Sequence, residues 1–160
     1  MIIAAMPETL RRRHTTWTLR ARRIPMAGTE LSVTPDAVFA LEFRDSGRRN
    51  YFLVEADRAT MPVERRSPTR SAFTRKLLAY WHAHRAKQHT AQWGIPGFRV
   101  LTVATSEERI ASLLAAVKEV TNRRGSNVFL FASWPALASS NPLTIAWISD
   151  TDQPARLIQT

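Results

Sequence analysis

Three carboxylates and one lysine stand out by their spacing: Asp36, Glu55, Asp57 and Lys76. Asp36 precedes the apolar run Ala37 to Phe43, and Glu55 and Asp57 close a second run, Tyr51 to Ala56. The polar segment DSGRRN joins the two runs, and Ser46-Gly47 within it reads as a two-residue hairpin loop. That loop sets Asp45 opposite Arg48 and, further along, Asp36 opposite Asp57. Directly paired residues point to one face, and Glu55, two residues from Asp57, shares it. Carboxylates that close raise one another's pKa, so a cation must stand among them. Mg²⁺ or Mn²⁺ fits, because hard cations take carboxylate oxygens. In phosphodiester hydrolysis such a metal activates a water and neutralises developing charge. Lys76, in the segment that follows, can reach the cluster as electrostatic partner to the phosphate. The competing reading is a structural ion-pair net in which Arg20, Arg22 or Arg58 supplies the positive charge.

The elements that would position these groups are readable from periodicity. Residues 1–13 read as a short helix or loose arm ending in three arginines. Residues 16–24, TWTLRARRI, alternate as a half-buried strand with Arg20 and Arg22 outward. Pro25 to Val33 reads as a loop. The runs around Asp36 and Glu55 are apolar on both faces, as central strands are. Ser67-Pro68 reads as an N-cap with proline at the first helical position, opening a helix to about Lys87 that buries Phe73, Leu77, Tyr80, Trp81 and His84. GIPG breaks the chain, Phe98 to Ala104 is a strand, and Ser106 caps a second helix with Glu107 and Glu108 in its first turn. Val128–Ala132 and Leu143–Ile148 read as two further strands. The order is (α)βββαβαββ: an α/β sandwich whose mixed sheet begins as an antiparallel meander and continues through crossover helices.

Composition narrows the function classes. The 160 residues suit one domain. They carry 23 Lys+Arg against 13 Asp+Glu, and 20 of the 23 are arginine, the better fork for phosphate. Residues 1–90 hold 17 basic and 8 acidic side chains, so the first half presents a polyanion-facing surface, with DNA as the expected partner. Arg65, Arg66, Arg70 and Arg75 flank the acid cluster and, with Arg20, Arg22, Arg58 and Tyr80, are the expected nucleic-acid contacts. The absence of cysteine excludes disulfides and thiol catalysis. No apolar run approaches a membrane span, no secretory signal opens the chain, and a cytoplasmic location with no membrane partner is expected. No phosphate-binding loop or nucleophile elbow is present. His82, His84 and His89 read as surface or packing residues.

Asp36 in Thr34-Pro35-Asp36, followed 19 residues later by Glu55-Ala56-Asp57 at the end of an apolar strand, resembles the PD-(D/E)xK nuclease superfamily. The segments PDAVFALEF, YFLVEADRAT, RKLLAYW and RVLTVATSEERIASLLAAV, in that order, resemble the replication-relaxation family of plasmid and mobile-element proteins. The resemblance spans roughly residues 30–120. It implies a restriction-endonuclease-like core, αβββαβ plus an added helix and strands, in one domain over 16–150 between a basic arm (1–15) and a C-terminal tail (151–160). It also implies a strand–helix unit that starts near an arginine. Asp36 and Glu55 match the metal-binding acids. Asp57 stands where the superfamily has its lysine, and Lys76 is the candidate for a lysine migrated to the next helix, with Asp57 as a third metal ligand and Tyr80 helping to position the phosphate. Family members often carry an N-terminal winged helix, for which the stretch before Trp17 is too short.

Two functions follow from the resemblance. The first is a Mg²⁺- or Mn²⁺-dependent DNA endonuclease in plasmid or mobile-element processing, with Asp36, Glu55 and Lys76 catalytic. The second is a catalytically inactive module of the same fold that docks DNA or replication and mobilisation proteins. A homodimer paired through Leu143–Ile148 is the arrangement expected by analogy with enzymes that cut two strands.

Overall fold

Strands β4 (Ala37–Phe43) and β5 (Arg48–Ala56) form the antiparallel hairpin on which everything else is laid. In the computed structural model, residues 2–4 (backbone), 17–22, 30–58, 72–151 and 153–158 are described. The hairpin turn differs from the expected one. It takes four residues, Arg44 to Gly47, closing with Phe43 opposite Arg48 and the Gly47 N–H donating to the Phe43 carbonyl at 2.8 Å. A two-residue type I′ loop needs positive φ at both central residues, and here only Gly47 has it (φ 63°). The register therefore slides by two residues. Each side chain keeps its face, but the last pair is Ala37 with Val54, and the next step brings Asp36 beside Glu55 rather than Asp57.

From β5 the chain crosses over twice. Helix α1 (Ala72–Arg85) and the short α2 (Gln88–Trp93) lead to β6 (Arg99–Ala104), parallel to β5. Helix α3 (Glu107–Val120) leads to β7 (Phe129–Ser133), parallel to β6. The result is α/β: a mixed sheet β4-β5-β6-β7 flanked by helices, with β1 (Ile2–Ala4) along the β4 edge. The expected helix or arm over 1–13 is thus a strand at Ile2–Ala4, where two β-branched residues favour extension; residues 5–16 lie outside the described part. Ser67-Pro68 also lies outside it.

The two faces of the sheet carry separate apolar cores. Tyr51, Leu53, Val100, Phe129 and Phe131 meet Phe73, Leu77 and Tyr80 of α1 and Ile110, Leu113 and Val117 of α3. Leu41, Phe52, Leu101 and Leu130 meet Trp147 and Leu157 on the other side. Burial from both sides explains why these strands read as continuous apolar runs. Ser106 caps α3 as expected, its hydroxyl accepting from the Arg109 N–H at 3.2 Å. Helix α1 ends at Arg85 because Lys87 turns left-handed (φ 51°).

Three further expectations are corrected. Strand β2 (Leu19–Arg22) does not join the main sheet; it pairs with β3 (Glu30–Val33) in a separate ribbon, where a loop was expected. The ribbon's inward Leu19, Ala21, Leu31 and Val33 pack on the α1 core, a period-two burial that fixes β3 as a strand. The amides of Gln88 and Gln92 on α2 bond both the N–H and C=O of Arg22 and Arg20 at 2.8–3.2 Å. Leu143–Ile148 is not a strand: Asn141 side-chain and carbonyl oxygens turn Leu143, Thr144 and Ile145. Only Ile148 bridges to Phe131 and Trp147 to Ala155. Helix α4 (Trp134–Ala138) was not foreseen.

Because Gly47 alone supplies positive φ in the turn, Gly47→Ala lowers unfolding free energy by about 1 kcal/mol. Gly97→Ala, at a position with ordinary φ and open space for a Cβ, leaves stability within about 0.5 kcal/mol of the parent. Urea denaturation of both variants checks this.

Candidate functional site

Glu55 lies one residue from the end of β5, on the face covered by α1, with Thr102 of β6 as its register partner. It is 3% exposed. A carboxylate so deeply placed needs compensation, and α1 provides it through Lys76 and Tyr80. These are four residues apart on a helix and so share a face. Lys76 Nζ donates to Glu55 Oε2 at 2.5 Å and the Tyr80 hydroxyl donates to Oε1 at 2.6 Å. Burial pushes the Glu55 pKa above the ordinary carboxylate value, with the Asp36 charge adding a little. The hydrogen bonds from Lys76 and Tyr80 and the Lys76 charge pull it back. Burial beside this carboxylate also drives the Tyr80 phenol far upward, so it remains a proton donor.

Asp36 approaches from the start of β4. Its N–H donates to the Val54 carbonyl at 2.9 Å, and its Oδ2 accepts the Ala56 N–H at 2.8 Å, tying it across the end of β5. Its Oδ1 accepts no hydrogen bond from the described residues, and the side chain lies at the surface. Lys76, 34% exposed at its side chain, reaches the same surface. Thr102 Oγ1, buried and without a hydrogen-bond partner among the described residues, faces the same side as Glu55.

Asp57 takes a different cation. Arg109, in the first turn of α3, donates from Nε to Oδ2 at 2.5 Å and from Nη2 to Oδ1 at 3.0 Å, a two-pronged pair with both side chains largely buried. The Asp57 N–H extends the β5–β6 ladder to the Val103 carbonyl at 2.9 Å. Among the described residues no three Asp, Glu or His side chains stand together as a metal-holding group. For a hard cation to be held here, Asp36 would offer the oxygen left unbonded by the described residues, Glu55 would have to release Lys76 or Tyr80, and Asp57 would have to surrender Arg109.

The expected nucleic-acid contacts are dispersed. Arg20, Arg22, Arg58 and Arg75 are exposed, Arg22 in an ion pair with Glu30 at 3.1 Å. Tyr80 is 1% exposed and points to Glu55. Arg65, Arg66 and Arg70 lie outside the described residues. Arg109 is the cation at Asp57 that the spacing of the acids does not reveal. The available signal was an arginine in the first turn of a helix, where the dipole favours an acid and a cation needs an anionic partner. No helix among the described residues is long and apolar enough to cross a membrane. No family model, curated protein or solved structure gives a significant match to this chain.

Two outcomes test the site's electrostatics. Because the Glu55 pKa is raised by folding, its contribution to stability is fully present below the unfolded carboxylate pKa and is lost as pH rises through the folded value. The unfolding free energy of Glu55→Gln relative to the parent therefore improves with rising pH across that window; a flat or falling difference contradicts it. Arg109→Met strands a buried carboxylate and costs about 3 kcal/mol, whereas Arg109→Met combined with Asp57→Leu recovers most of the loss. Thermal unfolding of the single and double variants reads this directly.

Proposed function

We propose that this chain is a metal-dependent DNA endonuclease of the PD-(D/E)xK type, with a restriction-endonuclease-like core and a role in plasmid or mobile-element DNA processing. The observation that carries the proposal is the meeting of Lys76 with Glu55, beside Asp36. An acid, a second acid and a lysine come together from β4, β5 and α1, so the helix delivers the lysine that the strand lacks. Asp36 and Glu55 are the residues that would hold Mg²⁺ or Mn²⁺. The metal, when bound, supplies an activated water and charge neutralisation at the phosphate.

The chain's own groups do the rest. Lys76 turns its ammonium from Glu55 toward the phosphate and stabilises charge that develops on the non-bridging oxygens. Tyr80 keeps its hydrogen bond to Glu55 Oε1 throughout and fixes the carboxylate's orientation as Lys76 moves. The Ala56 N–H holds Asp36 by one oxygen and leaves the other turned outward. Exposed Arg58 and Arg75, next in sequence to Asp57 and Lys76, contact the DNA backbone on either side.

A second reading has its own support. Both Glu55 oxygens are engaged and the group is buried, while Asp57 is closed by Arg109. Acids closed in this way favour a structural role for the cluster, as in a catalytically inactive module that docks DNA or a replication protein.

Cleavage of labelled DNA with Mn²⁺, Mg²⁺ or EDTA separates the two. On the first reading cutting needs the metal, Glu55→Ala abolishes it, and Lys76→Ala lowers the rate by about 10²-fold or more. Metal-independent binding with no cutting under any condition leaves the docking module.

A further inference from the structure

At the other end of β5, away from Glu55, the α1 side of the sheet opens into a cleft of about 630 Å³. This lies within the ~300–1,000 Å³ that small-ligand sites occupy. Tyr51, which lines it, is four residues from Glu55 along the strand, roughly 13 Å. The cleft shares no residue with the acid site.

Its chemistry is flat and cationic. Trp81 and His84, from the last turns of α1, and Phe98, just before β6, supply the rings; Trp81 and His84 are half-buried and so retain open surface. Phe98 meets His84 edge-on at 5.3 Å, which fixes the His84 plane. Burial and the neighbouring His89 hold His84 below the ordinary histidine pKa, so it contributes a neutral ring. Arg49, Arg85 and Arg99 stand around the same space, and no acidic residue lines it. Arg49 is bonded to Glu42 at 2.6 Å. Arg85 and Arg99 have no ion-pair partner among the described residues, although Arg85 lies over the Trp81 ring at 5.7 Å. Asn127 adds an amide with both donor and acceptor. Arg85 also lines an adjoining depression with Arg22, whose Nε is paired with Glu30 at 3.1 Å but whose side chain stays 64% exposed, so a path with an arginine at each end continues out of the cleft toward β2.

We propose that this cleft binds one nucleotide of an unpaired nucleic-acid strand, its base against Trp81 and its flanking phosphates on Arg85 and Arg99. An aromatic wall beside unpaired guanidinium groups fits a planar, electron-rich base joined to an anion. A duplex keeps its bases stacked and cannot deliver one into a concave space without flipping it out. The basic path toward Arg22 gives the next phosphates of a strand somewhere to run, which a free nucleotide does not need. The assignment stands independently of the proposed hydrolysis, since it uses neither Glu55 nor a metal.

The test is fluorescence anisotropy of a labelled oligothymidylate in EDTA over a range of salt, with a duplex of the same length and thymidine monophosphate as competitors. Single strand binds more tightly than duplex. Arg85→Ala and Arg99→Ala each weaken it by about tenfold and reduce the salt slope by about 1. Trp81→Leu weakens it by about tenfold without changing the salt slope, and Lys118→Ala, which removes an exposed charge on α3 outside the cleft, changes nothing. If Trp81→Leu fails to fold, Trp81→Phe keeps a ring: binding is retained, and strand-induced quenching of tryptophan emission falls. Equal binding of duplex and single strand, or cleft variants that behave like Lys118→Ala, overturns the proposal. Thymidine monophosphate competing as strongly as the oligonucleotide overturns the strand assignment, because the ligand is then a free nucleotide.

Discussion

The buried carboxylate of Glu55 sets how helix α1 lies on the sheet. Glu55 sits where the sheet meets α1, and its two oxygens accept from two side chains of that helix. In the free protein both bonds together offset the desolvation of an anion in that position. Lys76 and Tyr80 project from one helical stripe, so satisfying Glu55 sets the rotation of α1 about its axis. The same rotation points Phe73 and Leu77 into the apolar core. The polar requirement and the packing requirement thus select one placement of the helix, and neither would define it as sharply alone.

Helix α1 joins two chemically different regions. Near its start, Lys76 meets the acids that gather where β5 ends. Near its finish, Trp81 and Arg85 stand over the beginnings of β5 and β6, where arginine replaces carboxylate. The helix runs back along the sheet, so the two regions belong to opposite ends of the same strands. Between them Tyr80 touches both sides: its hydroxyl is on Glu55 while its ring lies edge-on to Phe98 at 6.1 Å. A displacement of α1 sufficient to free Glu55 would also move the aromatic wall of the cleft.

Local signals carried much of this architecture in the sequence. The start of α3 followed from Ser106 and the acids after it, and its buried face from its apolar stripe, because capping and amphipathicity depend on neighbours within a turn or two; its end at Val120 comes before the Arg123-Arg124-Gly125 segment that the sequence offers as a stop. The hairpin was legible as a hairpin, since two apolar runs around a glycine have few other arrangements. Its register was not, because that depends on how many residues the turn consumes, and Ser46 does not adopt the positive φ of the shorter loop. Parity survived the two-residue slip, so Glu55 and Lys76 were placed on facing surfaces even though Asp36 was paired with the wrong acid. The Arg109 to Asp57 pair joins residues far apart in sequence, and no local period encodes such a contact. Strand β3 was hidden for a related reason: with only four residues, its alternation is too short to distinguish from a loop until a partner strand is known.

The glutamines of α2 bring out a property of the molecular surface. Gln88 and Gln92 present a donor and an acceptor apiece to the outer side of β2, imitating the neighbour that this strand lacks. At β7 the backbone of Ile148 occupies the corresponding position, and β1 does so at β4. A bare strand margin is a template on which another polypeptide can crystallise, and runaway stacking into fibrils begins in this way. Here three such margins are already occupied by the chain itself, two of them with pieces too short to extend the pattern. Association by continuing the sheet is obstructed at all three, so recognition there must be written in side chains rather than in backbone.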